Sequence, residues 1–559
     1  MSNKDFDAIK EAERRYDEEV SEFLETHKEL QPDYRTISGI PLKRVYNPSD
    51  IESIDYLKDI GFPGQYPYTR GFYPDGYRTR PWKVQPLIGF DTCEETNQRW
   101  HNLISQGVTG LVLDGFPPMS CEGGDRGQEC YNSDDERVEG YIGHCGLVVE
   151  TLPDWKRLFE GIDLEKVNIS ILAHQSVQMA MYLALAEERG VDKKKLRGTH
   201  ETVTYGLSDG SEDRREQLDE MEYCVKNLPR WNITTFKGRN LRDGGCTAPQ
   251  EIAINLAMGI DTARALIAEK GLDIDEFGPR MGFMFCAHNE FLEEVAKFRA
   301  ARRMWARIVK DLFGAKNPRS QILRFHVQSA GSTLTREQPL NNVARVAIQG
   351  LAAILGGAQS LHLCPMDEGY TIPSEFSTLV SMRVQQLLAH ETGCMNVCDP
   401  LGGSYCIESL TMQIEEEAQK FMDEIEKRGG ECKAREWIIG EICSSAYKYQ
   451  KQISSKERIV VGVNEFTEGN YSYPFDLRDY NLSTAEKQMS RLNNVRNERD
   501  DAKAEVMKKK LIEAFKSKEN IMPYLIEAAR AHISAGEIHQ CRLAAVGKEA
   551  CYSRVCYEH

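Results

Sequence analysis

From residue 83 onward the chain alternates short β-branched or apolar runs with long amphipathic stretches, and that rhythm leaves few folds open. The runs fall at 84–90, 108–116, 167–174, 196–203, 233–238, 281–288, 322–328 and 358–364. Between them lie segments such as EFLEEVAKFRAARRMWARIVKDLFG (290–314) and LNNVARVAIQGLAAILGG (340–357), whose apolar positions recur at helical spacing. Eight strand signals, each followed by a helix signal, predict an α/β chain folded as a (β/α)8 TIM barrel. A doubly wound open sheet is the alternative, but no glycine-rich dinucleotide fingerprint follows the first strand.

The flanks read differently. Residues 4–30 form a charged helical pattern with a sparse apolar stripe (Phe6, Ile9, Tyr16, Val20, Phe23, Leu24), suited to docking or subunit contact. Residues 31–82 are rich in Pro, Gly, Tyr and Arg and predict an extended arm. After the barrel come a helical stretch (408–452), an extended run (457–466) and a charged helix (483–517). This gives three units: 1–82 helix and arm, 83–407 barrel, 408–559 helical linker region. Gly356 and Gly357 before the last strand read as a helix cap.

A net charge of -16 argues against nucleic acid or an anionic membrane as the main partner. No apolar run reaches the roughly 18 residues of a membrane span, and the charged N-terminus has no signal-peptide core. Sixteen cysteines without a secretory signal read as reduced thiols, so the expectation is a cytoplasmic enzyme.

In a (β/α)8 barrel the catalytic groups lie at the C-terminal ends of the strands. Those ends carry Leu87, Asp114, His174, His200, Glu201, Arg239, Asn240, Arg280, His288, His326, Gln328, His362, Asp367 and Glu368. A purely structural barrel has no need of so dense a polar set, although each histidine alone could be a satisfied interior residue. Metal-binding Cys spacing is absent, as are a P-loop, a Gly-x-Ser-x-Gly elbow and an HExxH helix, so no protein-held metal is expected.

Several strings, in order, carry a resemblance: YPYTRGFYPDGYRTRPW, GFDTCEETNQRW, KFRAARRMWARIV, GAKNPRS, LRFHVQSAGSTLT, DPLGGSY and ERIVVGVNEF. They resemble the large subunit of the methylmalonyl-CoA mutase family over about residues 35–470. The resemblance implies a barrel with an acyl-CoA pantetheine along its axis and a corrinoid over its C-terminal face. It implies a radical carbon-skeleton rearrangement driven by adenosylcobalamin, for which the protein supplies a dry cavity and fixed donors. The family's D-x-H-x-x-G corrinoid signature does not occur here, so a separate small corrinoid-binding subunit is expected, in an α2β2-like hetero-oligomer.

Carried over by position, Arg70, Tyr73 and Pro74 match the CoA-binding arm motif. His326 and Gln328 match the catalytic HxQ, and Arg280 matches a substrate-side Arg. Glu368 matches the Glu holding the adenosyl ribose, beside which Cys364 replaces an Asn. The pocket floor departs from the family. Leu87 stands where methylmalonyl-specific members have Tyr, Gln85 replaces a CoA-contacting Arg, and Glu201 replaces a substrate-contacting Gln. Arg239 and Asn240 replace the Tyr–His pair that shields the radical and meets the thioester. Asp114 is shared with the 2-hydroxyisobutyryl-CoA mutase type, where it receives a substrate hydroxyl; pairing with Arg239 is the alternative. The expectation is therefore a mutase for a branched acyl-CoA, whether unsubstituted, hydroxylated or acidic, other than methylmalonyl-CoA. The competing expectation is a non-catalytic homologue that binds a ligand or partner.

Overall fold

The computed structural model describes residues 3–31, 33–89, 91–116, 130–140, 142, 146–172, 176–201, 206–207, 212–469 and 483–547. Eight strand positions form the centre. β1 comes in two pieces, Lys83–Val84 and Leu87–Ile88, and is followed by β2 (Leu111–Phe116), β3 (Asn168–Leu172) and β4 (Arg197–Glu201). β5 is also in two pieces, Trp231–Asn232 and Thr234–Lys237, before β6 (Met281–Ala287), β7 (Arg324–Ser329) and β8 (Ser360–His362).

The pairings run in a ring, all parallel. The first piece of β1 pairs with β8 and the second with β2, while the pieces of β5 pair with β4 and β6 in turn. The remaining neighbours pair in sequence order. The two breaks are hand-over points between sheets. In β1 the break contains Pro86, which has no N–H to give to a ladder.

Helices follow the strands and cover their outer faces: Cys93–Ser105, Leu152–Leu158, Ser176–Glu188, Glu212–Asn227, Ala248–Lys270, Phe291–Asp311, Asn341–Leu355 and Glu375–His390. Local chemistry starts them: Thr92 with Glu95, and Thr247 with Gln250, form capping boxes. Gly356 and left-handed Gly357 end the helix before β8, as expected. The core lies between strands and helices, where Trp100, Trp155, Trp231 and Trp305 are wholly buried. Buried charges there are matched: Arg299 meets Asp399 and Glu408, and Lys297 lies 2.7 Å from Glu251.

The arm is not a plain extended segment. It contains short helical turns at Pro48–Ile51 and Tyr56–Ile60. Arg302, buried in its helix, donates to the carbonyls of Tyr68 and Thr69 at 2.9 and 2.6 Å, which pins the arm to the barrel. On the N-terminal helix Asn3–Leu24 the apolar stripe is half covered: Phe6, Ile9, Val20 and Leu24 are half-buried, while Tyr16 and Phe23 are exposed, Phe23 by 57%.

Three expectations for the C-terminal region are corrected. The stretch 408–452 is two helices, Tyr405–Lys427 and Glu431–Ser454, separated by Gly429 and Gly430 at φ 92° and 99°. The run 457–466 folds into a turn, because Asn464 accepts from the Val460 N–H and donates to the Ile453 and Arg458 carbonyls. The charged helix divides into Ser483–Glu498 and Asp501–Lys516 where Asp500 caps the second piece. Two further helices follow, Met522–Arg530 and Ala535–Val546, and their apolar residues join the barrel's own core. Among the described residues no helix is long and apolar enough to cross a membrane.

Candidate functional site

The inner face of the strand ring is hollow. Barrels of this kind are normally filled by bulky branched side chains. Here the inward positions include Ser170, Thr199, Asn232, Thr235, Gly282 and Ser360, and they leave a cavity of about 640 Å³. Alternation explains the set, since inward residues recur every second position: Lys83, Gln85 and Leu87 on β1, Asn168, Ser170 and Leu172 on β3, Arg324, His326 and Gln328 on β7. Because all strands are parallel, the two ends of the bore differ consistently.

The lower end, at the strand starts, is basic. Arg80, Lys83, Arg197, Arg230 and Arg324 line it, together with Phe72, Tyr73 and Tyr77 of the arm. Arg80 stacks over the Tyr73 ring at 4.0 Å. The surrounding protein first, and then the like charges of Arg197 and Arg80, pull the Lys83 ammonium below its usual range.

The upper end carries Leu87, Leu172, Lys237, Arg239, Asn240, Met284, Gln328 and His362. His326 Nδ1 lies 2.8 Å from Ser360 Oγ, and the Leu87 N–H donates to His362 Nδ1 at 3.3 Å. An accepting Nδ1 puts the His362 proton on Nε2. Burial, with Arg239's charge added, brings His326 down to about 3; burial, His326 and Arg239 do the same to His362. Both rings are therefore neutral donors or acceptors at physiological pH.

Above the bore, Gln328 Nε2 lies 3.6 Å from Cys364 Sγ, whose thiol donates to the Ser329 carbonyl at 3.2 Å and is pushed up to about 12 by burial. Glu368 opens to solvent at this rim, yet the surrounding protein raises its carboxyl while Arg239 pulls it back. A Cβ on Gly331 would come within 3.3 Å of Glu368 Oε1 and 3.9 Å of Cys364 Sγ, so the three share one recess.

The structure thus gathers Leu87, Gln85, Tyr73, Arg239, Asn240, His326 and Gln328 on the bore, with Cys364 and Glu368 at its upper rim. Gln85 rests against the bare Cα of Gly110. The remaining candidates stand elsewhere. Arg280 precedes β6 and lies at the opposite end; its guanidinium donates to the carbonyls of Cys224, Val225, Leu228 and Glu276 at 3.0 to 3.1 Å, capping a helix end. Arg70 is held by Asp399 at 3.0 Å and by Tyr56, and neither it nor Pro74 lines the bore. His200 points into the shell, 2.6 Å from Glu220. Asp367 caps the helix beginning at Glu375 through Ser374 and Ser377. Asp114 and Glu201 stand in register with Leu172 at the strand ends, but their side chains lie outside the described residues, as does all of His174. Sequence reading missed Lys83, Arg197, Lys237 and Arg324, though counting back two positions from Gln85, Thr199, Arg239 and His326 finds each one.

The methylmalonyl-CoA mutase family profile matches residues 35–548. The chain belongs to the methylmalonyl-CoA mutase family. It is 39% identical to the 2-hydroxyisobutanoyl-CoA mutase large subunit of Aquincola tertiaricarbonis, over 93% of each chain. It is also 35% identical to a probable mitochondrial methylmalonyl-CoA mutase of Caenorhabditis elegans (93% of this chain, 70% of that one) and 34% identical to the human mitochondrial enzyme (90% and 67%). The family is one of coenzyme B12-dependent acyl-CoA mutases, and this chain is an isomerase of that kind. At the upper rim Glu368 carries a carboxylate acceptor, and Gly331 leaves backbone space beside it.

Proposed function

We propose that this chain is the substrate-binding large subunit of an adenosylcobalamin-dependent mutase acting on a branched acyl-CoA, whether unsubstituted, hydroxylated or acidic, other than methylmalonyl-CoA. A small corrinoid-binding subunit completes the site. The observation that carries this reading is the open polar bore joining a basic mouth to a buried cluster of neutral donors. Such a bore suits an elongated ligand with anionic groups at one end. Arg80, Lys83, Arg197, Arg230 and Arg324 meet the phosphates, with Arg geometry favouring them. Ser170, Thr199, Thr235 and Ser360 offer hydroxyls along the pantetheine. Asn240 and the neutral His326 meet the thioester, and Gln328 stands between them and the rim.

Leu87 removes the phenol that methylmalonyl-specific members carry, and Arg239 supplies a fixed positive charge beside the acyl group. Asp114 and Glu201 are further acyl contacts in this reading. When bound, the corrinoid supplies the adenosyl radical that starts the rearrangement, and Glu368 would hold its ribose, with Cys364 buried beneath it. The relative from Aquincola tertiaricarbonis, a large subunit by name, supports the two-component assembly.

The test combines the chain, a corrinoid-binding small subunit, adenosylcobalamin and a panel of branched acyl-CoAs, and follows isomerised product. Turnover of a branched acyl-CoA with none of methylmalonyl-CoA is expected. Tight acyl-CoA binding with no turnover of any panel member would establish the non-catalytic alternative.

A further inference from the structure

A side-chain amide polarises a thioester carbonyl only if its NH2 end, and not its oxygen, faces the substrate. Asn240 is held so that this end is the one available. Arg239 Nη1 lies 3.0 Å from Asn240 Oδ1. A guanidinium has donors only, so the amide must present its oxygen to Arg239, which leaves Nδ2 for the bore both residues line.

Arg239 in turn needs a support, because a long side chain at a cavity edge has several rotamers and a competing anion, Glu368, within range of its charge. The support is one helical turn away. Arg239 Nε lies 3.3 Å from Asp243 Oδ2, a charge pair off the line of a hydrogen bond. The other oxygen of Asp243 accepts from the Ser332 N–H at 3.2 Å and from its hydroxyl at 2.8 Å, which ties the short helix Gly238–Asp243 to the loop after β7. Asp243 faces a neighbouring cavity, of about 730 Å³ and lined also by His288 and Tyr449, and does not line the bore.

We infer that Asp243 is a positioning residue: by holding Arg239 it locks the Asn240 amide with its Nδ2 hydrogens toward the thioester carbonyl. The inference rests on the acyl-CoA reading above and assigns a role to a side chain outside the substrate's reach.

The experiment uses the full chain without cofactor and isobutyryl-CoA carrying a 13C-labelled thioester carbonyl. Difference infrared spectroscopy reads the carbonyl band, and calorimetry reads affinity. Binding to the unaltered chain is expected to move the band to lower frequency, and Asn240→Ala to abolish that movement. Asp243→Ala is expected to lose most of it while affinity stays within about threefold. Asp243→Asn, which keeps the shape but not the charge, is expected to lose it similarly. Ser332→Ala, which removes one of the two anchors, guards against a folding failure of the first variants and is expected to lose less. A full shift retained in both Asp243 variants, with Asn240→Ala abolishing it, overturns the positioning role alone. Failure of the unaltered chain to bind any acyl-CoA overturns the acyl-CoA reading and this inference together.

Discussion

The same eight strands present two faces, and their polar groups are treated in opposite ways. On the outer face buried charges are matched within the protein. Lys297 meets Glu251 and Glu294, and also donates to the Cys286 carbonyl at 2.6 Å; Arg299 bridges Asp399 and Glu408. On the inner face the polar side chains surround open space, and its two buried histidines are held neutral. Matched buried ions are a feature of folding, since removing one partner strands the other. Polar groups around a cavity keep bonding capacity for something that enters. The comparison teaches that stability and binding are separable here by strand face.

Substitution on the outer face is therefore expected to give the largest effect, and in stability alone. Lys297→Met takes the paired cation from Glu251 and leaves Glu294 with Arg242 alone, and is expected to cost about 3–5 kcal/mol in urea unfolding, with unchanged acyl-CoA affinity of the folded protein. An affinity loss without a stability loss would break the comparison.

The next effect lies where the C-terminal helices dock. Glu150 is buried beside Asp154, hydrogen-bonded to Ser133 and Gln488, and burial with Asp154's charge pushes it from 4.5 up to about 7. The folded state thus holds a proton the unfolded state has lost. Stability is full below about pH 4.5 and declines as pH rises to about 7, by roughly 3 kcal/mol at most. Chemical unfolding across that window reads the slope, and Glu150→Gln is expected to reduce it without abolishing it, since burial pushes Glu431 up to about 7 as well.

At the lower mouth, Arg324→Ala is expected to raise KM for the acyl-CoA about tenfold at unchanged kcat, with the penalty shrinking in high salt. A fall in kcat instead would move Arg324 into the chemistry. The smallest effect is an expected absence. His326 and His362 titrate near 3, so protonation of either ring gives no limb to the rate profile between about pH 5 and 8. A limb in that range abolished by His326→Gln would show the ring ionising during turnover.

The barrel was legible because strand and helix periods alternate eight times. What escaped the sequence has physical causes. Arg280 sits in a motif that matches the family, but three-dimensional position decides its role: at the start of β6 it faces the carbonyl end of a neighbouring helix. The break of the charged C-terminal helix depends on Asp500 preferring to cap rather than to continue it, and both outcomes suit its composition. The terminal helix Ala535–Val546 is short, has apolar residues on all sides and leans on the barrel, so tertiary packing more than periodicity makes it helical.

The claim that most depends on the inner face is that an acyl-CoA lies along the bore. Ser170, midway up β3, looks across open space, and Ser170→Phe fills the bore with little disturbance of the outer shell. Calorimetric titration of the full chain with a branched acyl-CoA, before and after that change, measures it directly. Saturable binding by the unaltered chain, lost by at least about a hundredfold in a variant of undiminished thermal stability, is the predicted result. Equal affinity in both proteins would mean that the ligand binds elsewhere.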